Sequence, residues 1–474
     1  MASTETAIQL NELDGRCEHT RPGDADDQVD DSRPAHEFSL PPVDGGKDAW
    51  LMLASAFFIE GLVWGFPFAF GVLQEYYSSH EPFASDSSHS ATIGTVALGF
   101  MYLGSPFGLT IMQRYPRYRR PSTIAGVLLV TGSIAASSFA THIWQLIITQ
   151  GIFWALGASL LYFPILIYID EWFVRRKGLA YGTMWAGTSV AGATVPYIFT
   201  WLLSRYTFAT AMRAWSIVTF AVVSVLVFFA KPRIPVSTSS SSSSSHRAPR
   251  PNPISFRFAL TRPFLFYQLG NIFHGLGYFI PSIYLPSYAR SLGLSAAAAT
   301  TPLALVNAGA FFGNIAAGVL SDALDVSAVA FGISVVAAAA IFLLWGFSGS
   351  VAVALVYVFA VVYGLSAGGF PATWTGIIRD VAKRAAAKAE AEGSGGGSGV
   401  VLETGPAFGL LGFGRGIGSI ASGPLSEALL RRTLMAGGQG KIAYGSEYGV
   451  LIVFTGVAML LGGTGFGAKR LGWM

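Results

Sequence analysis

Long apolar segments separated by short polar ones run along most of the chain. Twelve of them reach the length of roughly 20 mostly apolar residues that a helix needs to cross a bilayer. They lie at residues 49–73, 91–112, 121–140, 143–169, 178–203, 212–230, 264–288, 301–321, 327–347, 351–376, 405–428 and 446–467. Apolar and polar residues do not alternate within them, which argues against the strands of a membrane barrel. The pattern predicts an all-α membrane protein with 12 transmembrane helices.

The polar segments divide this pattern into two equal parts. Residues 1–47 are acidic and polar and predict a disordered cytoplasmic tail, with no apolar stretch after the first Met that would predict a cleaved signal peptide. Residues 231–263 hold eight Ser in the nine positions 237–245 and predict a solvated Ser/Pro/Arg-rich linker. We therefore expect six-helix halves at 48–230 and 264–467, followed by a short cytoplasmic tail at 468–474.

The two predicted halves share sequence patterns in the same order. GASLLYFP at 157–164 corresponds to GLSAGGFP at 364–371, and GLAYG at 178–182 corresponds to GPAFG at 405–409. The two offsets differ because a Gly-rich insertion at 393–399 lengthens one loop of the second half. A parallel duplication of six helices with a long central loop is the architecture of major facilitator transporters. In that architecture the substrate binds near the midplane, and one half rocks against the other.

Composition and charge narrow the function classes. Charged residues make up 12% of the chain, against about 25% in soluble proteins, which argues against a cytosolic enzyme. The net charge of +4 is too small to indicate nucleic-acid binding, and the single cysteine, Cys17, cannot form an internal disulfide. We find no zinc spacing, no phosphate loop and no catalytic constellation, so we expect no metal, no cofactor and no enzymatic activity.

Lys and Arg are concentrated on one side of the predicted membrane. If the N-terminus is inside, cytoplasmic loops and the C-terminal end hold 19 of them and the outside loops hold six. By the positive-inside rule, both termini are expected in the cytoplasm of a multi-pass plasma-membrane protein.

Several segments resemble the monocarboxylate transporter family, in particular its fungal members. They are the Asp44–Gly46 segment with Trp50, WGFPFAFGV at 64–72, WFVRRKGLAYG at 172–182, and FGRGIG at 413–418 with SGP at 422–424. The resemblance covers about residues 44–467. It implies the major facilitator fold and a transport activity.

The chain departs from that family where charge matters most. Animal members use a Lys late in span one and an Asp and an Arg in span eight, where this sequence has Phe68, Ala310 and Asn314. The resemblance therefore does not extend to proton–lactate symport. The superfamily's basic loop after span two is also altered, with Gln113 in place of the usual acidic residue and Asp322 as its counterpart in the second half. We interpret five residues as parts of cytoplasmic gating loops: Arg114, Arg117, Arg175, Arg176 and Asp322.

Charged side chains inside spans are the best candidates for chemistry, because burying them in the membrane costs several kcal/mol unless they are paired or hydrated. Glu60, midway along span one, is a hypothetical proton carrier, with a structural hydrogen bond as the alternative. Arg415, midway along span eleven, is a hypothetical partner for a substrate anion. Its alternative is a structural contact with backbone carbonyls. His274 in span seven either titrates or packs.

Further polar and aromatic residues complete the candidate pathway. Asparagines within spans either contact substrate or join helices by hydrogen bonds, and aromatic residues either line a cavity or pack in the core. The asparagines are Asn271, Asn307 and Asn314, and the aromatic residues are Trp64, Phe68, Tyr162, Tyr278 and Trp374. Four pairs of glycines spaced four apart predict close helix contacts within each half: Gly61 and Gly65, Gly178 and Gly182, Gly309 and Gly313, and Gly414 and Gly418.

The sequence thus predicts a monomeric secondary active transporter of a small organic solute, a monocarboxylate or a related organic acid. Proton coupling through Glu60 is a hypothesis within that prediction. The first alternative is an efflux transporter for a fungal secondary metabolite. The second is a nutrient sensor that keeps the fold and carries no flux.

Overall fold

Helices account for the secondary structure of the region that the computed structural model describes, residues 40–85, 90–234, 256–349, 352–391, 404–435 and 442–474. One isolated β-bridge, between Gly349 and Ile442, is the β-pairing within those ranges. The main helices are α1 Lys47–Phe68, α2 Ser90–Arg114, α3 Arg119–Ser137, α4 Trp154–Trp172, α5 Lys177–Arg205, α6 Phe208–Phe229, α7 Arg262–Ser291, α8 Ala296–Ala323, α9 Val326–Ala339, α10 Ala354–Ala367, α11 Thr404–Met435 and α12 Gly449–Leu461. Each of these main helices overlaps one predicted span, so the predicted all-α fold is confirmed.

Length and apolar composition do not identify every one of these helices as a membrane span. In the described chain, seven helical segments pass a test of length and apolar composition, and an eighth is Gly449–Leu461 taken together with Thr464–Arg470. Helices α3, α5, α7 and α11 fall short because they contain many small and polar residues. Helices α5, α7 and α11 each pack against several other helices, and a helix that faces little lipid need not be apolar on every side.

The first span is interrupted, where the sequence predicts one continuous helix to residue 73. Helix α1 ends at Phe68, and a second helix follows at Phe70–Ser79. Pro67 lies within the last turn. A proline inside a helix removes a hydrogen-bond donor and clashes with the carbonyl four residues earlier, which accounts for the break at Ala69.

Two other spans contain π-helical segments, at Ile147–Phe153 before α4 and at Ala340–Trp345 after α9. The first contains the buried side chain of Gln150. Its Oε1 accepts a hydrogen bond of 2.7 Å from the Tyr77 hydroxyl, and its Nε2 donates to Ser137 Oγ at 3.1 Å. Hydrogen bonding therefore satisfies the one polar side chain that this part of the span buries.

The predicted tenth and twelfth spans differ from the structure at their C-terminal ends. After α10 the chain forms a short 3₁₀ helix, Phe370–Thr373, and then the helix Trp374–Ala391, which extends well past the predicted end at residue 376. Its later turns are charged, so hydropathy could not assign them to a span. The last span bends by 47° between Leu461 and Thr464.

Contacts between the first six and the last six helices follow two seams, α5 against α8 and α2 against α11. A Cβ added to Gly182 would lie 2.3 Å from the carbonyl oxygen of Asn314, and one added to Gly409 would lie 2.6 Å from Cα of Pro106. The repeated GLAYG and GPAFG segments thus close equivalent seams. The expectation that Gly178 and Gly182 pack within the first half is wrong, because their closest neighbours are on α8.

The other three glycine pairs pack as expected, against α5, α10 and α7 respectively. The contacts from Pro41 to Met474 form one compact unit, so the predicted boundaries at residues 230 and 264 stay predictions. Cys17, most of the acidic tail, the Ser-rich part of the linker and the Gly-rich insertion at 393–399 lie outside the described residues.

Substitution of Gly182 by Ala is expected to destabilise the protein. The added Cβ would collide with backbone of α8, and such overpacking costs about 1–3 kcal/mol. Gly132→Ala is the matched control, since a Cβ there meets nothing within 4 Å. Heating in detergent followed by size-exclusion chromatography should show a lower midpoint for Gly182→Ala alone. Equal midpoints for the two variants would contradict the close contact.

The predicted orientation can be tested with thiol labelling, because Cys17 is the only cysteine. In intact cells, a membrane-impermeant maleimide should leave Cys17 unmodified and should modify a Ser78→Cys variant made in a Cys17→Ser background. Ser78 is exposed between α1 and α2, on the side expected to face outward. After permeabilisation both should react. Labelling of Cys17 in intact cells would contradict the predicted orientation and place the N-terminus outside.

Candidate functional site

Glu60 is buried inside the helix bundle, with 2% of its surface exposed. Thr188 on α5 donates a hydrogen bond of 2.8 Å to Oε1, while Oε2 has no hydrogen-bond partner among the described residues. The Tyr162 hydroxyl on α4 lies close enough to interact with the carboxylate. No Lys or Arg of the described chain lies within 4 Å of it. The structure therefore places one unpaired carboxyl group between α1, α4 and α5.

Arg415 on α11 is the buried cation of the last six helices, with 3% of its surface exposed. Its Nη1 lies 3.2 Å from Nδ1 of His274, and its Cζ lies 4.8 Å from the centre of the Tyr278 ring. A guanidinium group can only donate, so Nδ1 accepts and the proton of a neutral His274 is on Nε2. That nitrogen is buried without a partner within the described ranges, so His274 also presents an unused donor.

Aromatic side chains surround both Glu60 and Arg415. Tyr102 on α2 interacts with the guanidinium of Arg415. It also lies near enough to Glu60 to interact electrostatically with its carboxylate. The Trp64 ring centre lies 5.3 Å from that of Tyr102 and 6.4 Å from that of Tyr162. Tyr278 and Phe370 flank His274 on the other side, with ring centres 5.9 and 4.0 Å away. The two buried charges thus belong to one aromatic centre between the two sets of helices.

A second aromatic group connects the first six helices to the last six, and we call its four residues the aromatic gate. They are Tyr181, Trp185, Trp374 and Phe408. Phe408 on α11 stacks on Tyr181 and Trp185 of α5, with ring centres 5.0 and 5.8 Å apart. Trp374 meets Trp185 edge-on at 5.7 Å. The gate thus joins side chains of the first six helices to side chains of the last six.

The three asparagine candidates have structural partners. Asn271 donates to the carbonyl of Leu411 at 2.6 Å and accepts a bond from Trp374 Nε1 at 3.2 Å, which ties α7 to α11 and to the gate. Asn314 donates to Ser189 of α5 at 3.3 Å, and Asn307 donates to the carbonyl of Leu303 within its own helix. Phe68 is partly buried against the core, at the end of α1. These hydrogen bonds tie Asn271 and Asn314, rather than Asn307, to neighbouring helices.

Residues at the ends of α8 and α2 cap α5 and α11, one helix of each seam. The carboxylate of Asp322, at the end of α8, accepts bonds of 2.9 Å from the backbone N–H groups of Gly178 and Leu179 at the start of α5. Gln113 Oε1, at the end of α2, accepts a bond of 2.8 Å from the N–H of Gly405 at the start of α11. The first N–H groups of a helix lack partners within it. Asp322 and Gln113 therefore perform the same task at equivalent seams.

The basic residues near these helix ends have exposed or partly buried side chains. Arg117 is exposed over the Tyr118 ring, and Arg114 is partly buried. The side chains of Arg175 and Arg176 are exposed, while their backbone N–H groups donate to the Asp44 carboxylate. Partial burial of Asp44 raises its pKa, but the bonds from the N–H groups of Arg175, Arg176 and Val174 outweigh that effect and lower the pKa. The segment before α1 is thereby held on the loop before α5.

Sequence reasoning missed several of the residues that this geometry brings together. They are Tyr102, Tyr181, Trp185 and Phe408. Away from them, sequence reasoning also did not single out Arg119, whose buried guanidinium pairs with Glu171 at 2.6 Å. Tyr181 and Phe408 occupy the same place in the repeated GLAYG and GPAFG segments. That equivalence was an available signal that both lie where the two sets of helices meet.

Comparison with known proteins agrees with this architecture. The sequence pattern of the Major Facilitator Superfamily matches residues 50–402. The MFS transporter asaE of Aspergillus flavus is 26% identical over 427 residues, covering 90% of this chain and 87% of that protein. The Aspyridones efflux protein apdF of Emericella nidulans is 26% identical, covering 91% of this chain and 80% of that protein. The Fujikurins efflux protein of Gibberella fujikuroi is 28% identical, covering 67% of each chain.

A solved structure shows the same fold. The human organic anion transporter MFSD10 superposes with a TM-score of 0.60 at 13% identity, covering 89% of this chain and 100% of that one. The helix arrangement, the repeated seams and the family match over residues 50–402 agree. The chain belongs to the Major Facilitator Superfamily.

Proposed function

We propose that the protein exports a secondary metabolite, a partly apolar organic anion, by alternating access across the plasma membrane. The observation that carries the proposal is the buried guanidinium of Arg415, which has no carboxylate within 4 Å among the described residues and lies among aromatic rings.

The polar groups of the centre favour an anionic ligand. A buried charge without an opposite charge beside it costs several kcal/mol, and a substrate anion would offset that cost at Arg415. The guanidinium can form two parallel hydrogen bonds to a carboxylate. Trp64 Nε1 and His274 Nε2 are further buried donors without partners in the described chain. This surplus of donors matches the lone pairs of an acidic group.

The aromatic surface around these donors favours a molecule larger than a short monocarboxylate. Trp64, Tyr102, Tyr162 and Tyr278 present ring surface well beyond what a small acid could cover. Relatives named for the efflux of aspyridones and fujikurins support an exported natural product. Uptake of a short monocarboxylate is the second candidate, supported by the family resemblance and by the same Arg415.

Proton coupling through Glu60 belongs to the same proposal. Its unpartnered Oε2 can take up a proton without breaking a bond to another described residue. Tyr102 is near both this carboxyl and Arg415, and a change of charge at Glu60 alters the electrostatic potential where a substrate anion would bind.

Replacement of Arg415 by Gln should strongly reduce export. In a deletion strain, we expect a metabolite to accumulate inside the cells and to decrease in the medium, and the wild-type gene should reverse both changes. Arg415→Gln should lower export about tenfold or more, since a hydrogen bond to a charged group contributes roughly 1.5–3 kcal/mol. Arg431→Gln is the matched control, because Arg431 lies exposed on the same helix and pairs with Glu427.

Metabolite profiling of cells and medium by mass spectrometry also separates the alternatives. Loss of growth on an organic acid without intracellular accumulation would favour uptake. An unchanged metabolite distribution together with altered nutrient responses would favour a sensor. Full export by Arg415→Gln would reject the anion site while leaving export itself intact.

Replacement of Glu60 by Gln should remove the dependence of transport on a proton gradient. In sealed membrane vesicles that carry the metabolite found by profiling, an imposed pH gradient should accelerate transport by the wild type and leave Glu60→Gln unaffected. Glu75→Gln, at an exposed position of the helix Phe70–Ser79, is the control. A full response of Glu60→Gln to the gradient would reject the coupling role.

A further inference from the structure

The start of α5 is capped by side chains from elsewhere in the chain. Its N-cap residue, Arg176, makes no capping bond with its own side chain, although the first N–H groups of a helix need acceptors from outside it. Asp44, before α1, accepts from the N–H of Arg176 at 2.9 Å. Asp322, at the end of α8, accepts from the N–H groups of Gly178 and Leu179. One carboxylate from each half of the chain is thus bound at the same helix end.

Asp44 holds both sides of the loop between α4 and α5. Its backbone N–H donates to the carbonyl of Trp172, the last residue of α4, at 2.9 Å. Its carboxylate accepts from the N–H groups of Val174, Arg175 and Arg176 at 2.9 to 3.1 Å. The segment before α1 therefore fixes the path by which the chain enters α5.

The backbone of Asp44 is adapted to this contact. Its φ is 59°, in the left-handed region that few residues other than glycine adopt. Such a conformation persists where the surrounding structure determines it. Here the surroundings are the hydrogen bonds to the α4–α5 loop, which require the N–H and the carboxylate of Asp44 to reach two parts of the loop at once.

The contact between α5 and α8 leaves the start of α5 little freedom of position. A Cβ added to Gly178 would lie 2.3 Å from the carbonyl oxygen of Gly318, and one added to Gly318 would lie 2.1 Å from the carbonyl oxygen of Gly178. The two backbones are therefore in direct contact beside Asp322. Hydrogen bonds weaken steeply when the donor is misaligned, so Asp322 can cap α5 well only if the first turn of α5 is held in place.

We propose that Asp44 is a positioning residue that holds the start of α5 where Asp322 binds it, and thereby favours the closed seam between α5 and α8. The proposal rests on the bonds of the two carboxylates and on the close backbone contact. It concerns how the closed bundle is held, so it goes beyond the proposed function and does not depend on the molecule carried. Its test uses no substrate, so its failure is distinct from a failure of export.

Opening of the bundle can be measured at Ser105, in the second seam. Its side chain is buried between α2 and α11, where the hydroxyl donates to the Gly409 carbonyl at 2.8 Å. A Ser105→Cys variant in the Cys17→Ser background should react with fluorescein maleimide only while the two sets of helices are apart. Because Ser105 belongs to the other seam, loosening confined to the α4–α5 loop would not expose it. Labelling rates are measured in permeabilised membranes and divided by the rate of the denatured protein.

We expect Asp44→Asn to accelerate labelling about fivefold, the factor of one net hydrogen bond. Asparagine also adopts the left-handed conformation, so the backbone at this position is kept while the charged acceptor is lost. Asp48→Asn is the matched control, since Asp48 lies exposed in the first turn of α1. It should label at the original rate.

The Asp322→Asn background tests whether the effect passes through the seam. In that background Asp44→Asn should produce almost no further change, because the bonds that Asp44 positions are already weakened and the two effects are not independent. Gln113→Ala removes the cap of the other seam instead. In the Gln113→Ala background Asp44→Asn should keep its full effect.

Asp44→Gly provides an independent variant if Asp44→Asn does not fold. Glycine keeps the positive φ and the backbone bond to Trp172 but removes the carboxylate, so labelling should accelerate in the same way. An unchanged labelling rate in either folded variant would overturn the proposal. Equal acceleration with and without Asp322→Asn would also overturn it, because Asp44 would then stabilise the bundle without acting on the contact with α8.

Discussion

The cost of a charge away from water is the constraint on which this structure depends. Near the ends of the helices, charges are paired, as Arg119 with Glu171 at 2.6 Å and Lys177 with Asp170 at 3.1 Å. Glu60 and Arg415 differ, since each lies deep in the bundle without an opposite charge within 4 Å among the described residues. Aromatic hydroxyl and indole groups surround both. Because polar but uncharged side chains stabilise a charge only partly, the centre can respond to an added proton or an added anion.

The sequence was sufficient to identify the helices and the two buried charges, for physical reasons. Apolar length measures passage through a membrane directly, and a charge inside such a segment is rare enough to be noticed. Continuity was harder to predict. The break at Ala69 depends on a single proline, Pro67. The helix Trp374–Ala391 continues into charged turns. A hydropathy average over a window of residues detects neither feature.

The aromatic residues of the site could not be predicted in the same way as the buried charges. Aromatic residues make up 14% of the chain, so the presence of Tyr102 or Trp185 in a span carries little information by itself. Glycine spacing likewise predicts a close contact but not the partner helix. Gly182 was assigned to its own half by spacing, and the structure places it against α8. Partner choice depends on the three-dimensional arrangement, for which the repeated GLAYG and GPAFG segments were the available evidence.

The two seams are equivalent in position and unequal in chemistry. At α5, the capping group is the carboxylate of Asp322, which accepts hydrogen bonds from two backbone N–H groups. The guanidinium of Arg379 lies 3.4 Å from the same carboxylate. At α11, the cap is the neutral amide of Gln113 with one bond from a backbone N–H group. Hydrogen bonds to a charged acceptor are roughly twice as strong as neutral ones. If the two sets of helices separate as rigid bodies, the rotation axis should lie nearer α5 and α8, with that seam acting as a hinge and the other as the opening edge.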